Sequence, residues 1–324
     1  MKRTMLLSWV AMSLLAVAGS AHAAYPDRPI KMIVPFPPGG GTDVVARVVG
    51  KRLAEVLGQA VVIENRPGAS TVIGAEAVAR AEPDGYTLLM TGSTTYSILP
   101  ALKKNLNYDP QKSFAPIAVL ALAPVVLVTR TDLGISDLPA LAKYARERAD
   151  KGKVSYGTFG AGSAPHLAGL MMSQAFQADM LDVPYKGSAQ MVTALIGGEL
   201  DMGVDTAASA APQVAAGKIK ALAVTGANRV PSLPNVPTFA EAGYPSVDFL
   251  GWYGMAAPAG TPQAVIDTLG RAVATTMADE TVKRTIAGNA LEPVNLGPDV
   301  FRDRMAAEIK TFTAIGQRAN VSIE

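Results

Sequence analysis

Residues 30–58, near the amino terminus, read IKMIVPFPPGGGTDVVARVVGKRLAEVLG and carry the clearest structural signal in the chain. The apolar start, 30–35, predicts a short strand, and the glycine-rich segment 39–43 predicts a loop. Residues 44–57 then carry apolar side chains at helical spacing and end at Gly58, a residue typical of helix carboxyl termini. The stretch therefore predicts one strand–loop–helix unit of an α/β fold.

The same unit recurs further along the chain. A predicted strand at 60–64 precedes a helix after Ser70, and another at 86–91 precedes a helix after Ser93. Three such units in succession predict a parallel, doubly wound sheet, because each helix returns the chain to start the next strand in the same direction. This sheet would form the first of two lobes.

A second lobe repeats the pattern after a break in rhythm. Two apolar runs without helical period, 117–122 and 125–128, predict a crossover from the first lobe. Predicted strands then follow at 154–157, 180–184, 202–204 and 219–225, with helices after Ser163, Ser188 and Ala207. The apolar stretch 249–257 is expected to cross back, and helices that start at Thr261-Pro262 are expected to fill the remainder.

These patterns divide the chain into a leader and two lobes. We expect a signal peptide at 1–23, a discontinuous first lobe at 24–124 and 249–324, and a second lobe at 125–248. A mature chain of this length exceeds a single core, which favours two domains. The predicted fold class is α/β, with two doubly wound lobes, two crossover strands and a cleft between the lobes.

The first residues have the pattern of a cleaved signal peptide. Lys2 and Arg3 precede an apolar run at 5–19, and the small-residue site Ala21-His22-Ala23 follows it. The run is shorter than the roughly 20 residues that a spanning helix needs. A retained amino-terminal anchor is the alternative, but cleavage before Ala24 and release into the periplasm is the interpretation we favour.

The composition excludes several classes of function. The chain has no cysteine, so a lipid anchor, disulfides and thiol chemistry are not expected. Loss of Lys2 and Arg3 from the 29 basic residues would leave them equal in number to the 27 acidic residues, which argues against a nucleic-acid partner. His166 would be the mature chain's only histidine, so we expect no metal and no cofactor. We expect a monomer.

The candidate site lies where the predicted strands end. In open α/β sheets, ligands bind beyond the carboxyl ends of the strands, where loops lead into helices. The loops selected by this rule are 36–43, 66–70 and 92–95 in the first lobe and 159–166, 185–188 and 205–209 in the second. They are rich in Gly, Ser and Thr and open into helices, a combination that binds anions through main-chain N–H groups.

Several residues of these loops allow two interpretations. Thr42 or Asp43 could cap the following helix or belong to an anion-binding loop. His166 could be a buried structural residue or a hydrogen-bond donor in the cleft. Asp205 could cap the next helix or accept a hydrogen bond from ligand or water.

The larger side chains near the loops are also open to two interpretations. Arg66 and Lys186 are either cleft cations or residues of a solvated rim. Phe36, Tyr96 and Tyr185 are either apolar walls of the cleft or parts of the lobe cores.

Enzyme motifs do not fit. Gly160-Ala161-Gly162 lacks the third glycine of a dinucleotide fingerprint, and the glycines at 39–41 lack the Gly-Lys-Ser/Thr ending of a P-loop. A serine hydrolase built on Ser163 and His166 stays as a remote alternative, because Pro165 replaces the last glycine of a nucleophile elbow. We therefore expect binding rather than catalysis.

Motifs along the whole mature chain resemble those of Bug-type, TctC-like receptors, the periplasmic solute-binding proteins of tripartite tricarboxylate transporters. The matching stretches are YPDRPI at 25–30, VPFPPGGGTD at 34–43, ENRPGA at 64–69, PDGYTL at 83–88, GS at 162–163 with HL at 166–167, VPYKG at 183–187 and VPTFAE at 236–241. The resemblance implies a type II periplasmic-binding-protein fold whose lobes enclose a carboxylate: a di- or tricarboxylate, an acidic amino acid or an aromatic acid.

The resemblance also implies which residues bind the ligand. It nominates Pro38, Gly39, Gly40, Thr42, Ser163 and His166, which would act through main-chain amides, hydroxyls and water. Position in the loops adds Ser93, Thr94 and Asp205, and the same loops contribute Phe36 and Asp43. The expected partner is a membrane permease of a tripartite tricarboxylate transporter. An orphan sensor that docks on a membrane signalling protein is the alternative, and neighbouring permease genes would distinguish the two.

Overall fold

A computed structural model of the chain describes residues 25–148, 152–319 and 321–323. The signal peptide expected at 1–23 lies outside these residues. Within them, no helix combines the length and apolar character needed to span a membrane.

The first sheet has six strands: β1 (Ile30–Val34), β2 (Val61–Asn65), β3 (Thr87–Gly92), β4 (Phe114–Ala123), β10 (Gly251–Pro258) and β11 (Glu292–Leu296). Their order is β11–β4–β10–β3–β1–β2. Strand β1 runs parallel to β2 and β3, whereas β10 runs antiparallel to β3 and β4. Two chain segments far apart in sequence, 30–123 and 251–296, therefore build one sheet.

The second sheet has five strands: β5 (Val125–Arg130), β6 (Ser155–Thr158), β7 (Leu181–Pro184), β8 (Met202–Thr206) and β9 (Ile219–Val224). Their order is β7–β6–β8–β5–β9. Strand β6 is parallel to β7 and β8, and β5 is antiparallel to β8 and β9. All five strands lie between the two segments of the first sheet in sequence.

Helices follow most strands. They are α1 (Gly41–Leu57), α2 (Val72–Ala79), α3 (Leu99–Leu102), α4 (Leu138–Glu147), α5 (Ala164–Phe176), α6 (Ser188–Ile196), α7 (Ala207–Ala215), α8 (Gln263–Ala278), α9 (Glu280–Gly288) and α10 (Pro298–Arg318). Short turns of 3-10 helix at Ala69–Thr71 and Thr131–Leu133 and one of π-helix at Thr94–Ile98 complete the secondary structure of the described residues.

The connection between the sheets is short. Strand β4 ends at Ala123 and β5 starts at Val125, so that only Pro124 separates strands of different sheets. The Val125 N–H donates to the hydroxyl of Thr225 at 3.0 Å, which fixes the start of β5 against the end of β9. Proline has no N–H to donate to a strand, and at this position it marks the change from one sheet to the other.

An aromatic cluster fills the core of the first lobe. Tyr96 stacks on Trp252 with ring centroids 5.5 Å apart, and Phe301 meets both rings edge to face. The Trp252 indole N–H donates to the Glu308 carboxylate at 2.8 Å. Of the two interpretations left open for Tyr96, the structure selects lobe core.

The expected α/β fold class with two lobes is confirmed, with three differences in detail. The sheets are mixed rather than parallel, because crossover strands β5 and β10 run against their neighbours. The helix expected directly after Ser93 starts as a π turn. Strand β11 was missed because its sequence, EPVNL, is short and contains Pro293; it lies at the sheet edge, where a missing N–H is tolerated. The boundaries expected for the lobes stay a prediction.

Candidate functional site

A cavity of about 620 Å³ lies between the two sheets. First-lobe residues that line it include Phe36, Pro38, Gly40, Gly41, Thr42, Gly68, Ser70, Thr71, Ser93 and Thr94. Second-lobe residues include Phe159, Ser163, Pro165, Lys186, Ser188, Thr206 and Ser209, and the crossovers add Ala123, Val125, Trp252 and Tyr253. The volume is suited to a small molecule. Each of the six predicted loops contributes at least one lining residue.

The glycine-rich loop presents the start of α1 to this cavity. Gly40 precedes the helix, and no described side chain caps it. The N–H groups of a first helical turn lack partners within the helix and lie at the positive end of its dipole. A Cβ on Gly41 would lie 2.8 Å from the Tyr253 hydroxyl, so glycine lets this helix start pack closely against β10.

Hydrogen bonds to the Asp43 carboxylate stabilise the glycine-rich loop. This carboxylate accepts hydrogen bonds from the Gly39 main chain, the Arg47 guanidinium and the Asn65 amide, each at 2.9 Å. Burial alone would raise the pKa of Asp43, but these hydrogen bonds lower it below its usual value. Asn65 also donates to the Phe36 carbonyl at 3.1 Å. Asp43 and Gly39 do not line the cavity. Asp43 instead fixes the shape of the loop that does.

Two further helix starts at the cavity lack a side-chain cap. Gly187 precedes α6, and Ser93 precedes the π turn, and neither start is capped by a side chain of the described residues. Together with α1, they direct main-chain donors from both lobes toward one space. Such convergence of positive dipole ends favours an anion.

Two predicted site residues at the start of α5, Ser163 and His166, have different surroundings. Ser163 lines the cavity, and its hydroxyl accepts the His166 main-chain N–H at 3.2 Å. The His166 imidazole is buried and does not line the cavity; its Nε2 atom lies 4.0 Å from an Asp182 carboxylate oxygen. Burial lowers the pKa of His166, although Asp182 opposes this effect. Ser163 thus faces the cavity, whereas His166 belongs to the lobe interior.

Asp205 does not line the cavity but contacts a residue that does. It is fully buried and accepts hydrogen bonds from the Ser188 hydroxyl at 2.5 Å and the Thr206 N–H at 2.7 Å. Burial raises the pKa of Asp205 to about 6, although these hydrogen bonds oppose it. The cap of α7 is Thr206, which accepts from the Ser209 N–H. Asp205 therefore orients Ser188, which does line the cavity.

Lys186 supplies a positive charge at the cavity lining. It is the one charged side chain among the cavity-lining residues of the described chain, and no ion pair of those residues involves it. Arg66, the other candidate cation, pairs with Glu64 and does not line the cavity. Unpaired positive charge beside three uncapped helix starts makes the space electrostatically suited to an anionic group.

The predicted site residues therefore fall into two groups. Those that line the cavity are Phe36, Pro38, Gly40, Thr42, Ser93, Thr94 and Ser163; those that do not are Gly39, Asp43, His166 and Asp205. The residues missed by the sequence analysis include Thr71, Trp252 and Tyr253. The last two lie on crossover β10, and loop position after a strand gives no signal for them. No cluster of three possible metal ligands occurs in the described ranges.

The fold and this site define a two-lobed periplasmic-binding-protein architecture. The family described as "Tripartite tricarboxylate transporter family receptor" matches residues 45–320. The chain therefore belongs to that family. Protein BugT of Bordetella pertussis is 34% identical over 315 residues, which is 96% of each chain. The resemblance to Bug-type receptors is confirmed.

Solved structures share this architecture. The periplasmic binding protein BugD is 36% identical, with a TM-score of 0.79 and coverage of 93% of this chain and all of that one. MatC of Rhodopseudomonas palustris, with bound malate, is 32% identical with a TM-score of 0.78, and the alignment covers 90% and 99% of the chains. Rpa4515 of the same species, with adipate, is 32% identical with a TM-score of 0.82 over 92% and 99%.

Proposed function

We propose that this protein captures a small carboxylate between its two lobes and delivers it to the permease of a tripartite tricarboxylate transporter. One observation carries the proposal: uncapped helix starts from both lobes and the unpaired Lys186 surround a single cavity. Family membership and the malate and adipate complexes of two relatives support the same ligand class.

The lining chemistry favours a carboxylate over a neutral solute. Main-chain N–H groups and hydroxyls can donate to several carboxylate oxygens at once, and charge-assisted hydrogen bonds are about twice as strong as neutral ones. Lys186 adds one full charge. The apolar surfaces of Phe36, Pro38 and Phe159 offer contact to the carbon chain between carboxylates.

Closure of the lobes would convert binding into a signal. The lobes connect at 123–125 and again through the segment that leads into β10. A ligand that contacts both lobes stabilises the closed state by the contacts that only this state makes. The closed surface is then what the permease recognises. A periplasmic location after removal of residues 1–23 belongs to the same proposal.

Binding rather than hydrolysis fits the geometry around Ser163. Its hydroxyl pairs with a main-chain N–H of α5, and His166 turns toward Asp182 instead of the cavity. A nucleophile needs its base within hydrogen-bond reach. Ser163 is therefore proposed as a ligand donor.

The test is a thermal-shift screen of residues 24–324 after removal of co-purified ligand by unfolding and refolding. The panel contains malate, adipate, citrate, glutamate and benzoate, with 1,6-hexanediol as the uncharged control. A ligand that binds only the folded protein raises Tm with concentration. We expect a shift for at least one acid and none for the diol. Folded protein that shifts with no acid would overturn the proposal.

A further inference from the structure

Three buried threonine hydroxyls form a hydrogen-bonded series that ends at the cavity. The packing of the fold does not require hydroxyl groups at these positions. Thr91 and Thr95 are fully buried and Thr71 is 3% exposed. The Thr95 hydroxyl donates to Thr71 at 2.9 Å, and the Thr91 and Thr95 hydroxyl oxygens lie 2.6 Å apart. Replacing all three hydroxyls by methyl groups would give a simpler core, because buried hydroxyls must be paired.

Counting the protons shows which hydroxyl of this series donates to which. Each hydroxyl has one proton to donate. Because Thr95 donates its proton to Thr71, the proton between Thr91 and Thr95 comes from Thr91. Thr71 then accepts one hydrogen bond and donates to no described residue, while it lines the cavity. The series thus leaves the Thr71 hydroxyl as a polarised hydrogen-bond donor at the cavity, since successive hydrogen bonds strengthen one another.

The backbone around Thr71 is held in a conformation that residues with a side chain rarely adopt. Gly68, Ala69, Ser70 and Thr71 have φ values of 135°, 46°, 53° and 88° in succession. A β-branched residue such as Thr71 is especially disfavoured at positive φ. The Thr71 N–H donates to the Gly68 carbonyl at 3.0 Å and so closes this left-handed turn. Strained backbone that the surroundings hold in place is concentrated at binding sites.

Thr95, the middle residue of this hydrogen-bonded series, is anchored in the first lobe. The Tyr108 hydroxyl donates to the Thr95 carbonyl at 2.7 Å, and Tyr108 is itself buried. A Cβ on Gly74, just after the turn, would lie 2.9 Å from the Arg66 carbonyl, so α2 packs tightly beneath the turn. The hydrogen bond to Tyr108 and the close packing at Gly74 therefore hold Thr95 and the turn in place against the first-lobe core.

From these relationships we propose that Thr71 is a ligand-binding residue whose hydroxyl donates to a ligand carboxylate, and that Thr95 is the residue that positions it. This inference rests on the proposed function and adds a specific contact to it. The left-handed turn fixes where the hydroxyl lies, and the hydrogen bond from Thr95 fixes where its proton points. A hydroxyl already accepting a bond is the better donor to an anion.

The experiment is a calorimetric titration of ligand-stripped protein with malate and with adipate. Thr71→Val removes the hydroxyl and keeps the branched shape, whereas Thr71→Ser keeps the hydroxyl. We expect Kd to rise about tenfold in Thr71→Val for whichever acid binds the wild type, and to stay within about threefold in Thr71→Ser. Thr276→Val is the matched control, because Thr276 is a fully buried first-lobe threonine outside the cavity whose hydroxyl has no partner among the described residues.

The positioning role of Thr95 needs a double-mutant cycle. Thr95→Val alone is expected to raise Kd about threefold, and the double variant is expected to bind no more weakly than Thr71→Val, because Thr95 acts only through Thr71. A purely structural threonine would lower Tm without this coupling. Wild-type affinity retained in Thr71→Val, or additive losses in the double variant, would overturn the inference. If the wild type binds neither acid nor any other acid of the panel, the proposed function itself fails.

Discussion

The Asp43 carboxylate accepts the Gly39 main-chain N–H at 2.9 Å and so ties the glycine-rich loop to the helix that it precedes. The same carboxylate is joined to Arg47 and Asn65, and Asn65 reaches the Phe36 carbonyl at the far end of the loop. The loop that lines the cavity therefore has its shape set by a residue outside the cavity.

Removal of the Asp43 carboxylate should weaken both the fold and ligand binding. In Asp43→Ala, the Gly39 N–H and the Asn65 amide lose their acceptor in two partly buried, charge-assisted hydrogen bonds, so we expect the free energy of unfolding to fall by about 2 kcal/mol. We also expect the Kd for a carboxylate ligand to rise. Urea unfolding and calorimetry measure the two effects. Asp132→Ala is the control, because Asp132 is an exposed partner of Arg130, and its loss should change stability by less than about 1 kcal/mol. Equal effects of both substitutions would contradict this account.

Asp205 predicts a dependence of stability on pH. Its pKa is raised from 3.8 to about 6 in the folded protein, so the folded state holds the proton more tightly than the unfolded state. The contribution is fully present below the unfolded value and is lost as pH rises through about 6. Asparagine imitates the protonated acid and can still pair with Ser188 and Thr206.

Asp205→Asn should therefore gain stability relative to the wild type as pH rises from 4 to 7, by an order of about 1–3 kcal/mol. Urea unfolding across this range measures the difference between the two proteins, which cancels the opposite contribution of His166, whose pKa is lowered. A difference that does not change with pH would show that Asp205 titrates as an ordinary carboxyl group.

Lys186 predicts a preference for charged ligands. Lys186→Met keeps most of the length of the side chain and removes its charge, so we expect about a fivefold loss of affinity for a carboxylate. Lys218→Met is the control, since Lys218 is an exposed second-lobe lysine outside the cavity. Both variants should fold as well as the wild type. Equal affinity of the two variants would exclude Lys186 from the site.

Two glycines of the first lobe should respond to alanine in opposite ways. A Cβ on Gly92 would lie 2.5 Å from the Trp252 carbonyl and 2.9 Å from the Tyr253 ring, so Gly92→Ala should cost more than about 2 kcal/mol of stability. A Cβ on Gly270, within α8, would meet no atom within 4 Å outside the backbone of its own helix, and Gly270→Ala should stabilise the protein by about 0.5–1 kcal/mol. Thermal unfolding of both variants compares them directly, and a stable Gly92→Ala variant would contradict the packing described.

Much of the architecture could be predicted because hydrophobic period and glycine position are local signals. The strand, loop and helix at 30–58 occur almost where the sequence places them, with β1 at Ile30–Val34 and α1 at Gly41–Leu57. Strand β11 could not be recognised, since EPVNL carries neither alternation nor β-branched runs. The antiparallel direction of β10 depends on partners more than a hundred residues away, and a local pattern does not encode such partners.

The sequence indicated which loops line the candidate cavity better than it indicated which side chains do. The rule that ligands bind beyond strand ends selected loops that do line the cavity. Whether a side chain points into the cavity or behind it depends on rotamers and packing, so Ser163 and His166, three residues apart on one helix start, face different surroundings. Tyr253 lies within a crossover strand and reaches the cavity only because two sheets meet there.

The most direct test of carboxylate capture compares adipate with its dimethyl ester by calorimetric titration of ligand-stripped residues 24–324. The ester preserves the carbon chain and the carbonyl oxygens but removes both charges. If helix starts and Lys186 select for an anion, the acid should bind with Kd in the micromolar range or below, and the ester should bind at least a hundredfold more weakly. Malate replaces adipate, with its own dimethyl ester, if adipate does not bind. Equal binding of acid and ester would contradict the account.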